Sequence, residues 1–269
     1  MKNVVTSLDS CLFDTHCHFD FDDFGDEEQR QSIWASCKQK GIQRLLIPGV
    51  SPQQWDQSFR ITQLLPGILM GVGVHPWWLK DVSHRILTDG HLEQMHSLLN
   101  RSACVAVGEC GLDAMIGLTV KEQTPAFEQQ LALACELDMP LIVHVRKTHN
   151  ETLALLKRYQ SSAGGVIHGF TGSAELAQQY WGLGFYLGIG GSITYPRANK
   201  TRQAVQAMPL ESLLLETDAP DMPLNGFQGQ INTPLKVLKV AEALSGLKEL
   251  PLDLVCNTTT ENAYRLFAL

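Results

Sequence analysis

The chain has 269 residues, a formal net charge of −7, 44% hydrophobic and 18% charged residues, the composition of an ordinary globular protein large enough to bury a substantial core. The acidic balance excludes a protein that coats a nucleic-acid duplex through a broad basic face, and favours a focused site whose positive charge comes from bound cations. No apolar run approaches the roughly 18 residues of a membrane helix. The opening Met1-Lys2-Asn3-Val4-Val5-Thr6-Ser7 lacks a signal-peptide core, so the expected location is cytoplasmic, with no membrane and no obligate protein partner.

In chain order, residues 12–16 predict a strand running into Asp14-Thr15-His16-Cys17-His18, and residues 27–40 a helix. A second strand is predicted at 44–48. Ser51-Pro52 then reads as a cap and a first-turn proline opening a helix over 52–65. Strand 68–74 runs into His75, and helix 92–100 follows. Strand 104–108 is followed at once by Glu109, within Val107-Gly108-Glu109-Cys110-Gly111-Leu112-Asp113, and then by helix 121–137. Strand 141–145 carries His144 at its end with Arg146 beside it, before helix 150–159. Strand 165–168 ends in His168 and turns through 169–173 into helix 174–181. Strand 185–189 precedes helix 200–207. Strand 212–217 leads to Asp218, a Gly- and Pro-containing loop over 219–230 and helix 235–243, with a last helix at 253–267.

Eight short apolar strands alternating with amphipathic helices, without a linker, predict one domain over residues 1–269. Its fold class is α/β, a (β/α)8 TIM barrel, with a doubly wound open sheet as the alternative. Seven scattered cysteines (Cys11, Cys17, Cys37, Cys104, Cys110, Cys135, Cys256) without CxxC spacing are expected to be reduced, small, buried residues.

The polar residues at predicted strand ends carry the chemistry. A barrel gathers its C-terminal strand ends at one face, where catalytic groups collect. His16 and His18, two apart, point to the same side, and neutral imidazoles suit a borderline metal ion. With Glu109, His144, His168 and Asp218 they form a candidate ligand set in which Glu109 has two oxygens to bridge two metals. Asp14 and Asp113 are weaker candidates, and Asp14 is expected to orient a ligand histidine. His84, His91, His96 and His149 fall away from strand ends and are expected on the solvated surface.

The motifs Asp14-Thr15-His16-Cys17-His18, Gly73-Val74-His75-Pro76, Gly108-Glu109-Cys110-Gly111-Leu112-Asp113, His144-Val145-Arg146, His168-Gly169-Phe170-Thr171-Gly172 and Glu216-Thr217-Asp218-Ala219-Pro220 together resemble the TatD family of metal-dependent hydrolases. Residues 218–230 are similar to its YjjV branch. The resemblance implies an amidohydrolase-like barrel with deoxyribonuclease or phosphodiesterase activity. It implies His16, His18, Glu109, His144, His168 and Asp218 as ligands of divalent metal, and adds His75 to the site. Many relatives continue with Tyr-Leu and basic residues where this chain has Asp221-Met222 and an uncharged loop.

The expected reaction is hydrolysis of a phosphoester, on DNA 3′ ends or nucleotides, by water activated between two divalent cations (Zn, Mn or Mg). Glu109 and Asp218 are the expected catalytic carboxylates, Asp218 handling the proton of the water. His75 and Arg146 are the expected phosphate contacts. A carboxylate on the fourth strand, where many amidohydrolases carry a modified lysine, favours phosphoesters over the alternatives, an amidohydrolase or lactonase acting on a small molecule. A non-catalytic metal-binding protein is a third reading. The turn at 169–173 offers N–H groups to an anion, and the 219–230 loop is either a lid or a small packed core of Met222, Leu224 and Phe227.

Overall fold

The computed structural model describes residues 11–82 and 85–269, so the opening heptapeptide and His84 lie outside the described residues. Eight strands, β1 (Leu12–Asp14), β2 (Ile42–Ile47), β3 (Ile68–Val72), β4 (Cys104–Asp113), β5 (Leu141–Arg146), β6 (Gly165–Ile167), β7 (Phe185–Ile189) and β8 (Leu213–Leu215), pair in sequence order, all parallel. The circle closes beyond the strand ends. Thr15 N–H donates to Leu215 O (3.0 Å), Asp218 N–H to His16 O (2.9 Å) and His18 N–H to Ala219 O (2.8 Å). An unbroken order whose last strand returns to the first removes the open-sheet alternative, which would reverse its order at a switch point.

Helices α1 (Glu27–Gln39), α2 (Pro52–Leu64), α3 (Asp89–Leu99), α4 (Val120–Leu137), α5 (His149–Tyr159), α6 (Ala174–Gly182), α7 (Asn199–Ala207), α8 (Val237–Lys248) and α9 (Leu252–Leu266) complete the fold. The larger apolar cluster lies between strands and helices and takes one face of each strand, for example Leu12, Leu45, Ile47, Met70, Val143 and Leu187. The alternate positions Phe13, Leu46, Leu69, Ile142, Val166, Tyr186 and Leu214 fill the barrel interior, joined by Ala263 and Leu266 of α9 and by Phe267 just after it. Helix α9 sits at the N-terminal ends of the strands, where Thr260 donates to Cys11 O and Asn262 to Leu210 O and Leu213 O. One end of the barrel is thus plugged, and polar inward-facing residues have only the other.

The largest departure from prediction is β4, ten residues rather than five. The glycines beside Glu109 read as a turn, yet the strand continues through an irregularity between Val107 and Cys110, where one extra residue is inserted opposite β5. Helix α3 starts three residues early because Thr88 and His91 form a capping box, and α8 extends to Lys248. Ser51 precedes Pro52 as expected but makes no capping bond. Its hydroxyl donates to Gln54 Oε1 at 3.2 Å.

Candidate metal centre

Two residues beyond the apolar layer, the same inward face of the strands turns polar. Ile142 is followed on that face by His144, Val166 by His168, and Leu214 by Glu216 and then Asp218. From β1 the chain bends at Thr15, and His16 and His18 flank Cys17, whose bridge to Ala219 extends the closing seam. His75 arrives from the segment after β3. The β4 irregularity turns Glu109 inward, and Gly111 allows the close approach of β5: its φ is +145° and an added Cβ would lie 2.1 Å from His144 O.

Glu109, 2% exposed, stands at the centre. Its two oxygens face different groups. Oε2 lies 3.3 Å from His16 Nε2 and 3.8 Å from His18 Nε2. Oε1 lies 3.1 Å from His144 Nδ1, 3.6 Å from His75 Nε2 and 3.9 Å from His168 Nε2. Asp218 closes the ring: Oδ1 is 3.5 Å from His18 Nε2 and 3.7 Å from His16 Nε2, and Oδ2 is 3.7 Å from His168 Nε2. All seven predicted residues other than Arg146 therefore meet around one point.

Both nitrogens of His16 are buried without a hydrogen bond. Buried imidazoles with free lone pairs, facing carboxylates, form a donor set that fits divalent transition metals. Three groups, the first two sharing His16, bring one ligand atom per residue within 4.8 Å of each other: His16, His18, Asp218; His16, His168, Glu216; and His75, Glu109, His144. Two members of these groups have competing commitments. His75 Nδ1 accepts the Trp77 N–H at 3.1 Å, so a neutral His75 carries its proton on Nε2 and offers the cluster a donor. Glu216 Oε1 accepts the Gly169 N–H and lies 3.1 Å from His168 Nδ1, which leaves His168 Nε2 free to face inward.

Glu216 is the residue that sequence reasoning missed. It shares the inward face with Asp218, two positions back, and that alternation was the available signal. Asp113 is likewise a support. Its Oδ2 bonds His144 Nε2 (3.1 Å) and the Trp77 indole N–H (3.3 Å), and its Oδ1 accepts the Met115 N–H (2.7 Å), so His144 presents Nδ1 to Glu109. Asp14 does not orient an imidazole, contrary to expectation. It accepts from the backbone N–H of His16 (3.4 Å) and from the N–H and hydroxyl of Thr217 (3.0 and 2.6 Å), tying β1 to the end of β8.

The electrostatics follow from burial. Burial lowers His16, helped by the His168 field, and with His144 holds His75 near 3; both rings are neutral at ordinary pH. Burial opposes the charge on Glu109 and Asp218, but the surrounding histidines outweigh it, keeping Glu109 well below the carboxylate range and Asp218 near 2. For His168, burial is outweighed by Glu216, Asp218 and Glu109, and the ring is pushed up to about 10. His18 and His144 also rise, against burial, through the bonds to Asp218 and to Asp113 respectively.

Other expectations meet mixed outcomes. Arg146 lies on the rim, its side chain 55% exposed and 4.0 Å from Asp113 Oδ2. The 169–173 turn is not open to an anion at its start: Gly169 N–H goes to Glu216 and Phe170 N–H to Gly188 O. In the 219–230 loop, Leu224 is buried and Phe227 packs on the core, while Asn232 donates to Thr217 O, Asp221 O and Met222 O. That describes a pinned loop rather than a lid, and of its three large apolar residues only Met222 is exposed. His96 is exposed as expected and His91 is half-buried. His149 departs most, its Nδ1 lying 2.9 Å from the hydroxyl of buried Tyr180. None of the described cysteines forms a disulfide, and Cys11 and Cys135 are only half-buried.

The family model described as TatD related DNase matches residues 13–268. The chain belongs to the TatD family. This TatD-family chain is 40% identical over 262 residues to the uncharacterized metal-dependent hydrolase YjjV of Escherichia coli K12, covering 96% of this chain and 98% of that one. The crystal structure of the same E. coli YjjV superposes with a TM-score of 0.89 at 38% identity, covering 96% and 98%. A protein of Klebsiella pneumoniae named 3'-5' ssDNA/RNA exonuclease TatD is 37% identical over 191 residues, 70% of this chain and 71% of that one. The TatD-family chain described here is thus a metal-dependent hydrolase on a (β/α)8 barrel. No helix among its described residues is long and apolar enough to cross a membrane.

Proposed function

We propose that this hydrolase cleaves phosphoester bonds, acting on nucleic-acid ends or nucleotides through a site for two divalent cations. The observation that carries the reading is the division of Glu109, one oxygen toward His16 and His18 and the other toward His144 and His168. His16, His18, Asp218 and Glu109 Oε2 would hold one cation, and His144, His168 and Glu109 Oε1 the other. When bound, such cations supply water ionised near neutral pH and offset charge on the phosphoryl oxygens.

The chain's own groups do the rest. Asp218, ionised and 18% exposed at its side chain, accepts the proton of the attacking water at a carboxylate oxygen. His75 donates from Nε2 to a phosphoryl oxygen, its tautomer fixed by the Trp77 N–H. Arg146 reaches the phosphate from the rim with paired donors. Asp113 and Glu216 fix the rings of His144 and His168. The exonuclease name of the K. pneumoniae relative agrees with this substrate class.

The test is a panel of a 5′-labelled single-stranded oligonucleotide, lactones and amides, run on chelated and remetallated protein. The reading expects oligonucleotide cleavage, lost on chelation and restored by Mn²⁺, Mg²⁺ or Zn²⁺. Turnover confined to lactones or amides, or undiminished cleavage by metal-free protein, would contradict it.

A further inference from the structure

Trp77 is 55% exposed, yet it is not a loose surface residue. It stands in the short 3-10 turn Pro76–Asp81, two residues after His75, and its indole N–H is held by Asp113 Oδ2. That same oxygen bonds His144 Nε2 and lies 4.0 Å from the Arg146 guanidinium. The other Asp113 oxygen fixes the backbone of Met115, whose side chain is 50% exposed. One buried carboxylate therefore holds a flat aromatic ring, fixes the backbone at Met115 and lies beside a planar cation on the rim. A single imidazole, His144, separates it from Glu109. The platform lies one residue outside the cluster, joined to it through Asp113 and His144.

The physical character of this patch selects its occupant. An indole anchored through its own N–H has already lost freedom that binding would otherwise remove, and more than half of Trp77 stays open to solvent. Arg146 beside it answers a phosphate or sugar oxygen. In a chain of net charge −7, contacts other than those to backbone charge add to the hold on a substrate. A flat ring carrying a phosphate meets these conditions.

We propose that Trp77, with Met115 and Arg146, forms a nucleobase-binding subsite, in which the base next to the scissile phosphate stacks on the indole. The proposal rests on the phosphoester reading above and deepens it. Every base has a π-face, so the subsite accepts all four with modest preference.

The experiment titrates 2-aminopurine riboside 5′-monophosphate, whose fluorescence is quenched by stacking, into Zn²⁺-loaded wild-type, Trp77→Leu and Trp77→Phe proteins at matched metal content. Ribose 5-phosphate serves as the base-free competitor. The expected result is quenching by the wild type, roughly tenfold weaker binding with loss of quenching in Trp77→Leu, and binding within about threefold of wild type in Trp77→Phe, as for one stacked base. Ribose 5-phosphate should bind wild type and Trp77→Leu alike. Equal nucleotide binding by wild type and Trp77→Leu would overturn the proposal. So would a Trp77→Phe protein as impaired as Trp77→Leu, because the bond to Asp113 would then carry the effect. Equal weakening of ribose 5-phosphate would also overturn it, while leaving the phosphoester reading intact. If neither phosphate bound wild type and no phosphodiester were cleaved, both would fall.

Discussion

Gly188→Ala should weaken metal binding without altering any of the six predicted ligands. Gly188 lies in β7 with a backbone conformation that any residue adopts, so alanine brings no backbone strain. Its new Cβ, however, would fall 2.2 Å from Glu216 Oε2 and 2.8 Å from its Cδ. Ordinary contact requires a shift of roughly 1 Å. Glu216 is 1% exposed, and its Oε1 is held by the Gly169 N–H at 2.6 Å and by His168 at 3.1 Å, so the carboxylate cannot swing clear while keeping both. Overpacking of this kind costs about 1–3 kcal/mol, or a fall in Tm of roughly 2–4 °C per kcal/mol for a chain of this size. Loss of the carboxylate that orients His168 should weaken metal binding by about 10–100-fold. Calorimetric metal titration with thermal melts of the metal-free protein reads both effects. Shortening the acid in Gly188→Ala/Glu216→Asp relieves the overlap but leaves His168 out of reach, so Tm should recover while affinity should not. A Gly188→Ala protein with wild-type Tm and affinity would refute the role assigned to Glu216.

Three further outcomes are expected. Asp14 is pushed up to about 8, chiefly by burial, against an ordinary 3.8. The folded state therefore prefers the protonated acid, and stability should fall as pH rises from about 4 to 8. Metal-free Asp14→Asn should flatten that slope of Tm against pH, and an unchanged slope would contradict the assignment. Because His18, His144 and His168 are held above the ordinary imidazole value without metal, cation binding should expel protons and tighten as pH rises. Titration in two buffers of different ionisation enthalpy counts those protons, and a count of zero would refute the picture. Arg30, buried, donates to the carbonyls of Phe19, Asp20, Phe21 and Gly25 and so clamps the loop whose Phe21 stacks on His18. Arg30→Met should cost about 3–5 kcal/mol and Arg30→Lys should not restore it, since a point ammonium cannot span four carbonyls; denaturant melts check this.

What the sequence made legible was whatever repeats at short range. Strand and helix periods placed all eight strand–helix units, the two-residue alternation set His16 and His18 on one side, and their places at predicted strand ends brought His144, His168 and Asp218 to one face. Glu216 obeys the same alternation and could have been read from it. Other features depend on contacts between distant segments. The β4 irregularity around Glu109 is set by packing against β3 and β5, and the glycines beside it are equally compatible with a turn. Asp113 meets His144 and the Trp77 indole, 31 and 36 residues away, only through the fold. Asp14 meets Thr217 across 203 residues only because the barrel closes. His149 was misplaced for the same reason: its partner Tyr180 belongs to another helix.

The central claim is that Glu109 joins two cations, one through each carboxylate oxygen. Native mass spectrometry of remetallated wild type and Glu109→Ala, with elemental analysis of the same samples, tests it directly. The account predicts two metal ions per wild-type chain, and loss of occupancy together with hydrolysis in the variant. A Glu109→Ala chain that still carried two ions, or a wild type that never exceeded one, would contradict it.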